Sequence, residues 1–382
     1  METILNIFID RIRAAAAHRT PLCIRGGGSK DFYGESLQGE LLETRDYTGI
    51  VAYEPSELVV TVRAGTPLRE LEALLAEAGQ CLAFEPPRFG TLDRLNGGTC
   101  GGMVAAALSG PARASVGGVR DYVLGVQLIN GRAEHLTFGG QVMKNVAGYD
   151  VSRLMVGAMG TLGLLTDISL KVLPVAPAEA TLVFQMDQTS ALAQLHRWGA
   201  QPLPLNASCW VCDDTAPHSP NLLFVRLRGA CAAVESACDR MLADAPGSRI
   251  DNAQALPDWA ACRDQTLPFF TPPTQAIEPL ALWRLSLPPT TPALKLPWPQ
   301  LVEWHGGQRW LWAPESATTQ LRKLAADAGG FASIFIAPGS VNTWATGRFN
   351  ELNPVLAKIH QRLKAEFDPA NIFNRGRMYP EL

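Results

Sequence analysis

The sequence predicts an α+β protein of two domains, and three observations carry that expectation. Its 382 residues exceed what most single cores accommodate. Short β-branched runs alternate with helical patterns along the first half, as in layered α+β or α/β architectures. Composition then changes near Pro174: 24 of the 34 glycines lie at or before it, whereas all nine tryptophans and 21 of the 28 prolines lie beyond it. Glycine permits close backbone approach to a ligand. A Trp- and Pro-rich second half reads as a different layer.

Taken in order, Ile4, Leu5, Phe8, Ile9 and Ile12 recur at helical spacing. Glu2, Asp10, Arg11 and Arg13 interrupt them, so the segment reads as an amphipathic helix rather than a secretory signal, and the expected location is cytoplasmic. Pro21–Ile24 and Leu58–Val62 read as strands. Thr66 can cap a helix that starts at Pro67, carries Glu70 in its first turn and stops at Gly79. Val123–Ile129 and Leu164–Val172 are strand-like, and the junction LKVLPVAPAEA leads into the second half. There the strands are Thr181–Phe184, Ala207–Cys212, Leu222–Arg226, Trp283–Leu287, Leu301–Trp304, Trp310–Trp312 and Ala332–Ile336. Helices fall at Ser190–Trp198, Ala230–Leu242 and Ser316–Asp327, with a last one at Leu352–Phe367. Two helices over an antiparallel sheet make a ferredoxin-like cap. No repeat is visible in the sequence.

A net charge of −3 without charge blocks argues against nucleic acid as a partner. No apolar run approaches the roughly 20 residues that span a bilayer, so membrane association is expected only through partners. The eight cysteines read as reduced and structural. Cys209 and Cys212 have ligand-like spacing, but a metal site wants a second such pair, so no metal is expected.

Three glycine clusters carry the chemistry. In Pro21-Leu22-Cys23-Ile24-Arg25-Gly26-Gly27-Gly28-Ser29 a strand runs into three glycines and a hydroxyl. Successive amides in such a turn can converge on an anion. A tight strand-to-loop turn is the competing reading. A Walker loop needs GxxxxGK[ST], which Gly-Gly-Gly-Ser-Lys lacks, and a dinucleotide fingerprint needs GxGxxG opening a helix, whereas Asp31 stands three after Gly28. The second cluster is Asn96-Gly97-Gly98-Thr99-Cys100-Gly101-Gly102, entering a helix of small residues that leads on to Ser109-Gly110-Pro111. The third is Gly157-Ala158-Met159-Gly160-Thr161-Leu162-Gly163-Leu164, just before a strand. Three such loops at strand edges point together to a ligand pocket.

In chain order, RGGGS, AGTPL, TCGGMVA with LSGP, RDYVLGV, KNVAGYDVSRL and GTLGLLT resemble the FAD-binding domain of the vanillyl-alcohol oxidase/PCMH flavoprotein superfamily. The likeness is close over residues 1–174, and FDPANIFNRGR (Phe367–Arg377) resembles the family's returning C-terminal segment. KNVAGYDVSRLMVGAMGTLG followed by a Trp-rich cap is most similar to the flavin subunits of glycolate-oxidase-type complexes. The resemblance implies a PCMH-type FAD-binding domain over 1–174, an α+β cap over 175–345 and a returning segment over 346–382. It implies FAD held around Arg25, with Gly26, Gly27, Gly28 and Ser29 on the pyrophosphate. Thr99, Gly101 and Gly102 would lie along the ribityl and pyrophosphate, with Cys100 among them. Gly160, Thr161, Gly163 and Leu164 would border the adenosine half. Ser109, Gly110, Arg113 and Asp121 would sit near the flavin or fix its loop, and Asn374 would approach the isoalloxazine.

The departures are informative. Some relatives attach FAD through a histidine in the first loop, where this chain has Ser29, so the FAD is expected to be non-covalent. The tail reads Asn374-Arg375-Gly376 where relatives often have Asn-Pro-Gly. Related 2-hydroxy-acid dehydrogenases carry a histidine cluster in the cap. Here VEWHGGQRW keeps Glu303 and His305 alone. The resemblance therefore implies partner subunits, namely a second FAD-containing dehydrogenase subunit and an iron–sulfur subunit, the chain having no CxxCxxC motif of its own. A self-sufficient FAD dehydrogenase and a non-catalytic nucleotide-binding subunit are the alternatives.

Overall fold

The computed structural model describes residues 1–90, 97–140, 149–212, 221–274, 278–338 and 346–382. The chain divides into two units. One comprises Met1–Leu108, Gly118–Pro174 and Glu351–Leu382; the other comprises Ser109–Gly117 and Val175–Asn350.

In the first unit a five-stranded antiparallel sheet runs Ile50–Glu54, Val59–Arg63, Leu164–Lys171, Val123–Ile129, His135–Gly139 in spatial order. The central strand Leu164–Lys171 is buried along most of its length, which explains its near-continuous apolar sequence. The helix Leu68–Glu77 buries Leu68, Leu71 and Leu75 at the three-and-four spacing of one helical face against Val60, Val62, Ile168 and Leu170. Thr66 does not cap it. Pro67 holds the N-cap position, and the Thr66 hydroxyl accepts the Gly49 N–H at 2.9 Å.

A second core of the same unit joins three distant stretches. Phe8, Ile12 and Ala15 of the helix Glu2–His18 pack with Leu22, Leu42, Ile372 and Phe373. Leu22–Arg25 pairs in parallel with Glu40–Glu43. On its other side the returning tail adds a parallel bridge at Phe373: Leu22 N–H donates to Ile372 O at 2.7 Å, and Asn374 N–H donates to Leu22 O at 2.9 Å. The first glycine loop is thus an extension of a strand that is paired on both edges.

The second unit holds one eight-stranded antiparallel sheet. Its first half is Ala178–Gln185, helix Gln188–Gly199, Leu205–Cys212, Asn221–Gly229, helix Cys231–Asp244 and Gly247–Ile250. Numbered along the chain, these four strands lie in the order 4-1-3-2, the ferredoxin-like topology. Its second half repeats that order with Leu280–Ser286, Leu301–Glu303, Gln308–Pro314 and Phe331–Ile336, and the two second strands join the halves. The repeat is incomplete, because the segment 287–300 replaces the first helix. Its five prolines forbid a helix there. Leu294, Leu296 and Trp298 still pack on the sheet core. The helix Asn252–Asp264 was not expected, since Pro257 lies inside it and its apolar residues form no clear stripe.

Candidate cofactor site

Two recesses in the first unit share Ile24, Gly26, Gly102, Ala105, Met159 and Asn374, and together they form one cleft. All three glycine clusters reach it: Gly26–Ser29 and Thr99 line one recess, Gly101, Gly160 and Gly163 the other. The walls close tightly where the glycines carry no side chain. A β-carbon on Gly26 would overlap the Thr99 hydroxyl, and one on Gly27 would stand 3.3 Å from the Gly98 Cα. A β-carbon on Gly101 would come within 2.8 Å of the Ala64 methyl. Gly28 has φ +72°, a left-handed conformation that glycine adopts at little cost. The glycines therefore let the first two loops close on each other while leaving main-chain amides as the cleft's lining. That surface fits a nucleotide diphosphate.

Asn374 ties the arrangement together. Its Oδ1 accepts the Ile24 N–H at 2.7 Å, and its Nδ2 donates to Met159 O at 2.7 Å. A β-carbon on Gly160 would stand 2.7 Å from that same Nδ2. Asn374 itself has φ +39°, which asparagine tolerates better than most residues. Its amide is thus engaged by the first strand and the third loop while it lines the cleft. Arg25 pairs with Asp31, Nε to Oδ2 at 2.8 Å, and braces the first loop from within.

The remaining expected residues make local contacts of their own. Cys100 is fully buried in the core beneath the second loop, and burial pushes its thiol far above the usual range. Leu164 faces the opposite core, because alternation along the strand turns Leu165 to the cleft instead. Thr161 is buried and donates to Ala158 O at 2.7 Å, closing the third turn. Asp121 is exposed and caps the helix Val119–Tyr122 by accepting the Gly118 N–H at 2.8 Å. Ser109, Gly110 and Arg113 belong to the second unit. There Gly110 O accepts the Trp304 indole N–H at 3.0 Å, and the Arg113 guanidinium lies 4.7 Å over the Trp304 ring. Lys144–Gly148 of the KNVAGYDVSRL motif lies outside the described residues.

His305 lies in the second unit between two hydroxyls, Nδ1 at 3.0 Å from Ser208 Oγ and Nε2 at 3.2 Å from Ser115 Oγ. Desolvation lowers its pKa to about 4. Glu303 is buried apart from it, accepting from Gln308 Nε2 at 3.0 Å and from Trp310 Nε1 at 2.6 Å. Arg309 is fully buried and donates to the carbonyls of Thr291 at 2.6 Å and Pro292 at 2.8 Å. It braces the proline segment rather than offering itself to a substrate carboxylate. No group of three or more potential metal ligands occurs among the described residues. No described helix is long and apolar enough to cross a membrane. A larger cavity of about 380 Å³ lies in the second unit against Thr181, Trp259 and Phe269, but its lining is mainly apolar and contains no glycine.

Sequence reasoning passed over Lys30 and Arg377. Lys30 follows directly on the first glycine loop and lines the cleft. Arg377 donates to the Lys30 and Asp31 carbonyls at 3.1 and 3.2 Å and so fastens the far side of that loop. The lysine was visible in Gly-Gly-Gly-Ser-Lys; the arginine, more than 340 residues away, carried no local signal.

A sheet-backed cleft walled by glycine amides, closed by a returning tail, defines an FAD-binding flavoprotein. Residues 8–150 match the family model described as FAD binding domain. The chain is 41% identical, over 98% of its length and 97% of the relative's, to the glycolate oxidase subunit GlcE of Escherichia coli, and it belongs to that subunit's family. It is also 29% identical to the glycolate oxidase subunit GlcD of Bacillus subtilis, over 46% of this chain and 37% of that one. Among solved structures, alkyldihydroxyacetonephosphate synthase shares the fold, with a TM-score of 0.64 at 14% identity over 96% of this chain and 73% of that one.

Proposed function

We propose that this chain is the FAD-binding subunit of a complex that oxidises glycolate, a 2-hydroxy acid, to glyoxylate. The reading rests on one combination: an amide-lined cleft, within a chain that matches a glycolate oxidase subunit along nearly its whole length. Gly26, Gly27, Gly28 and Ser29 hold the FAD diphosphate, and Thr99, Gly101 and Gly102 follow the ribityl chain. Gly160 and Gly163 border the adenosine half, while Asn374 fixes the tail that closes the site. FAD supplies the two-electron chemistry; the chain supplies its position and surroundings. Electrons pass through a second FAD-containing subunit and an iron–sulfur subunit. The complex works in the cytoplasm or at the inner face of the cell membrane, held there by its partners.

Glycolate-dependent reduction of a dye acceptor, measured with and without this chain in a reconstituted complex, tests the proposal. Full activity without the chain would refute it. Activity with an intact chain whose flavin never changes redox state would favour a structural subunit instead.

A further inference from the structure

We propose that Lys30 is the counter-cation of the bound diphosphate, a charged contact added to the backbone amides of the glycine loops. The inference rests on the flavin-binding reading of the same cleft.

Lys30 is a cation that faces no carboxylate among the described residues of its cleft. Among the described residues no carboxylate pairs with it. Its nearest polar partner is Ser29 Oγ at 3.5 Å, the outer limit of a hydrogen bond. Its ammonium reaches across to the second loop, where a β-carbon on Gly98 would stand 3.1 Å from Nζ. The Phe89 ring covers it at 5.7 Å. It therefore stands between two of the loops that line the cleft. The neighbouring charges are already committed. Asp31 is held by Arg25 at 2.8 Å, Glu72 by Arg88 at 2.8 Å, and the Arg377 guanidinium by backbone carbonyls. Cys100, whose thiol burial keeps neutral, faces Lys30 from the second loop.

A desolvated ammonium with no partner costs free energy unless an anion arrives. Consistent with that, Lys30 is half-buried as a residue, yet desolvation lowers its pKa to about 8. A bound diphosphate favours the charged form and raises that value again, so cofactor binding takes up a proton above about pH 8. Below it the lysine is already charged and affinity is full; above it affinity falls as pH rises.

The test uses the full-length apo-protein. FAD, ADP and riboflavin are titrated by fluorescence or calorimetry between pH 6.5 and 9.5, with wild type, Lys30→Met and Lys30→Arg. Lys30→Met should weaken FAD and ADP by about tenfold to a hundredfold at pH 7, the range of one charged hydrogen bond, and leave riboflavin unchanged. Lys30→Arg should keep most of the affinity. The wild-type affinity for FAD should fall between pH 8 and 9.5, and that of Lys30→Met should not. Melting of the apo-protein separates this from a structural role, because removing an unpaired buried charge should leave the apo-protein equally or more stable while its FAD affinity drops. Unchanged FAD affinity in Lys30→Met, or an equal loss for riboflavin, would overturn the proposal alone. A wild-type protein that binds no FAD would overturn the flavin reading with it.

Discussion

Lys364 and Asp368 form a buried ion pair, Nζ to Oδ2 at 2.8 Å, one helical turn apart at the end of the helix Pro354–Phe367. Lys364 also donates to Thr161 O at 2.8 Å and to Phe373 O at 2.7 Å. Asp368 accepts the N–H groups of Ile372 and Phe373 at 3.0 and 2.8 Å. The pair thus holds the returning tail and the third glycine loop in one network, six residues before Asn374. Removing one partner leaves the other charge buried. Lys364→Met should destabilise the first unit by about 3–5 kcal/mol. Denaturant unfolding of the apo-protein, followed by circular dichroism, measures it. A loss below 1 kcal/mol would show that the tail is held by its apolar packing alone.

Most of the strands and helices were legible because periodicity marks them directly. Val123–Ile129 coincides with the expected strand, and Leu68, Leu71 and Leu75 carry a clean helical face. The ferredoxin-like cap followed from its order of elements. Its duplication did not, since the second copy replaces a helix with the proline segment that Arg309 braces, and the sequence shows no repeat. The loops of the site were legible as glycine clusters. Which atoms face the cleft was not: Cys100, Thr161 and Leu164 sit within the right motifs, but local packing turns them inward. Contacts from Lys364, Asn374 and Arg377 span 200 residues or more and leave no spacing to read.

Gly28→Val should abolish FAD retention. Gly28 has φ +72°, and a β-carbon there would overlap the Arg25 guanidinium that braces the loop. A β-branched residue disfavours that conformation strongly. The flavin content of the purified variant, beside its circular dichroism, is the measurement. A folded variant with normal flavin content would remove the diphosphate assignment from this loop.

The flavin should be non-covalent. Ser29 ends the first loop, and a serine hydroxyl is a poor nucleophile without a base. Cys100 is fully buried and its thiol is held neutral by desolvation. Acid precipitation should release all yellow colour to the supernatant. Flavin retained in the denatured pellet contradicts this.

Acid should destabilise the second unit through His305. Its folded pKa is lowered to about 4, against 6.5 for an ordinary imidazole. The unfolded chain therefore binds a proton that the folded one refuses. Stability is full above about pH 6.5 and falls as pH drops toward 4. The residue is not fully buried, so the loss is about 1–3 kcal/mol rather than the full value of the shift. Comparing unfolding at pH 7 and pH 4.5 in wild type and His305→Gln checks it. An equal acid loss in both proteins would assign the effect to other groups.

The isolated chain, loaded with FAD, should not be reduced rapidly by glycolate. Oxidising a 2-hydroxy acid needs its carboxylate held and its hydroxyl deprotonated. Four arginines of the second unit that could hold a carboxylate are engaged. Arg226 is buried, donating to Asn206 at 2.7 Å with its guanidinium 4.9 Å over Trp259. Arg228 pairs with Glu179, Arg309 with backbone carbonyls, and Arg284 lies 5.6 Å over Phe335. His305 is neutral at pH 7 but lies between two hydroxyls, with a pKa near 4 that makes it a weak base. His196 bonds Pro289 O at 2.7 Å, and His218 lies outside the described residues. At these arginines a substrate carboxylate would have to displace contacts already made, and no cluster of three or more His, Cys, Asp or Glu that could hold a metal stands among the described residues. Anaerobic mixing with glycolate and with D-lactate, followed by flavin absorbance, measures the rate. Bleaching within the time of a catalytic turnover would make this chain a dehydrogenase in its own right. Slow or absent bleaching, restored by the partner subunits, would place the oxidising site on the partner.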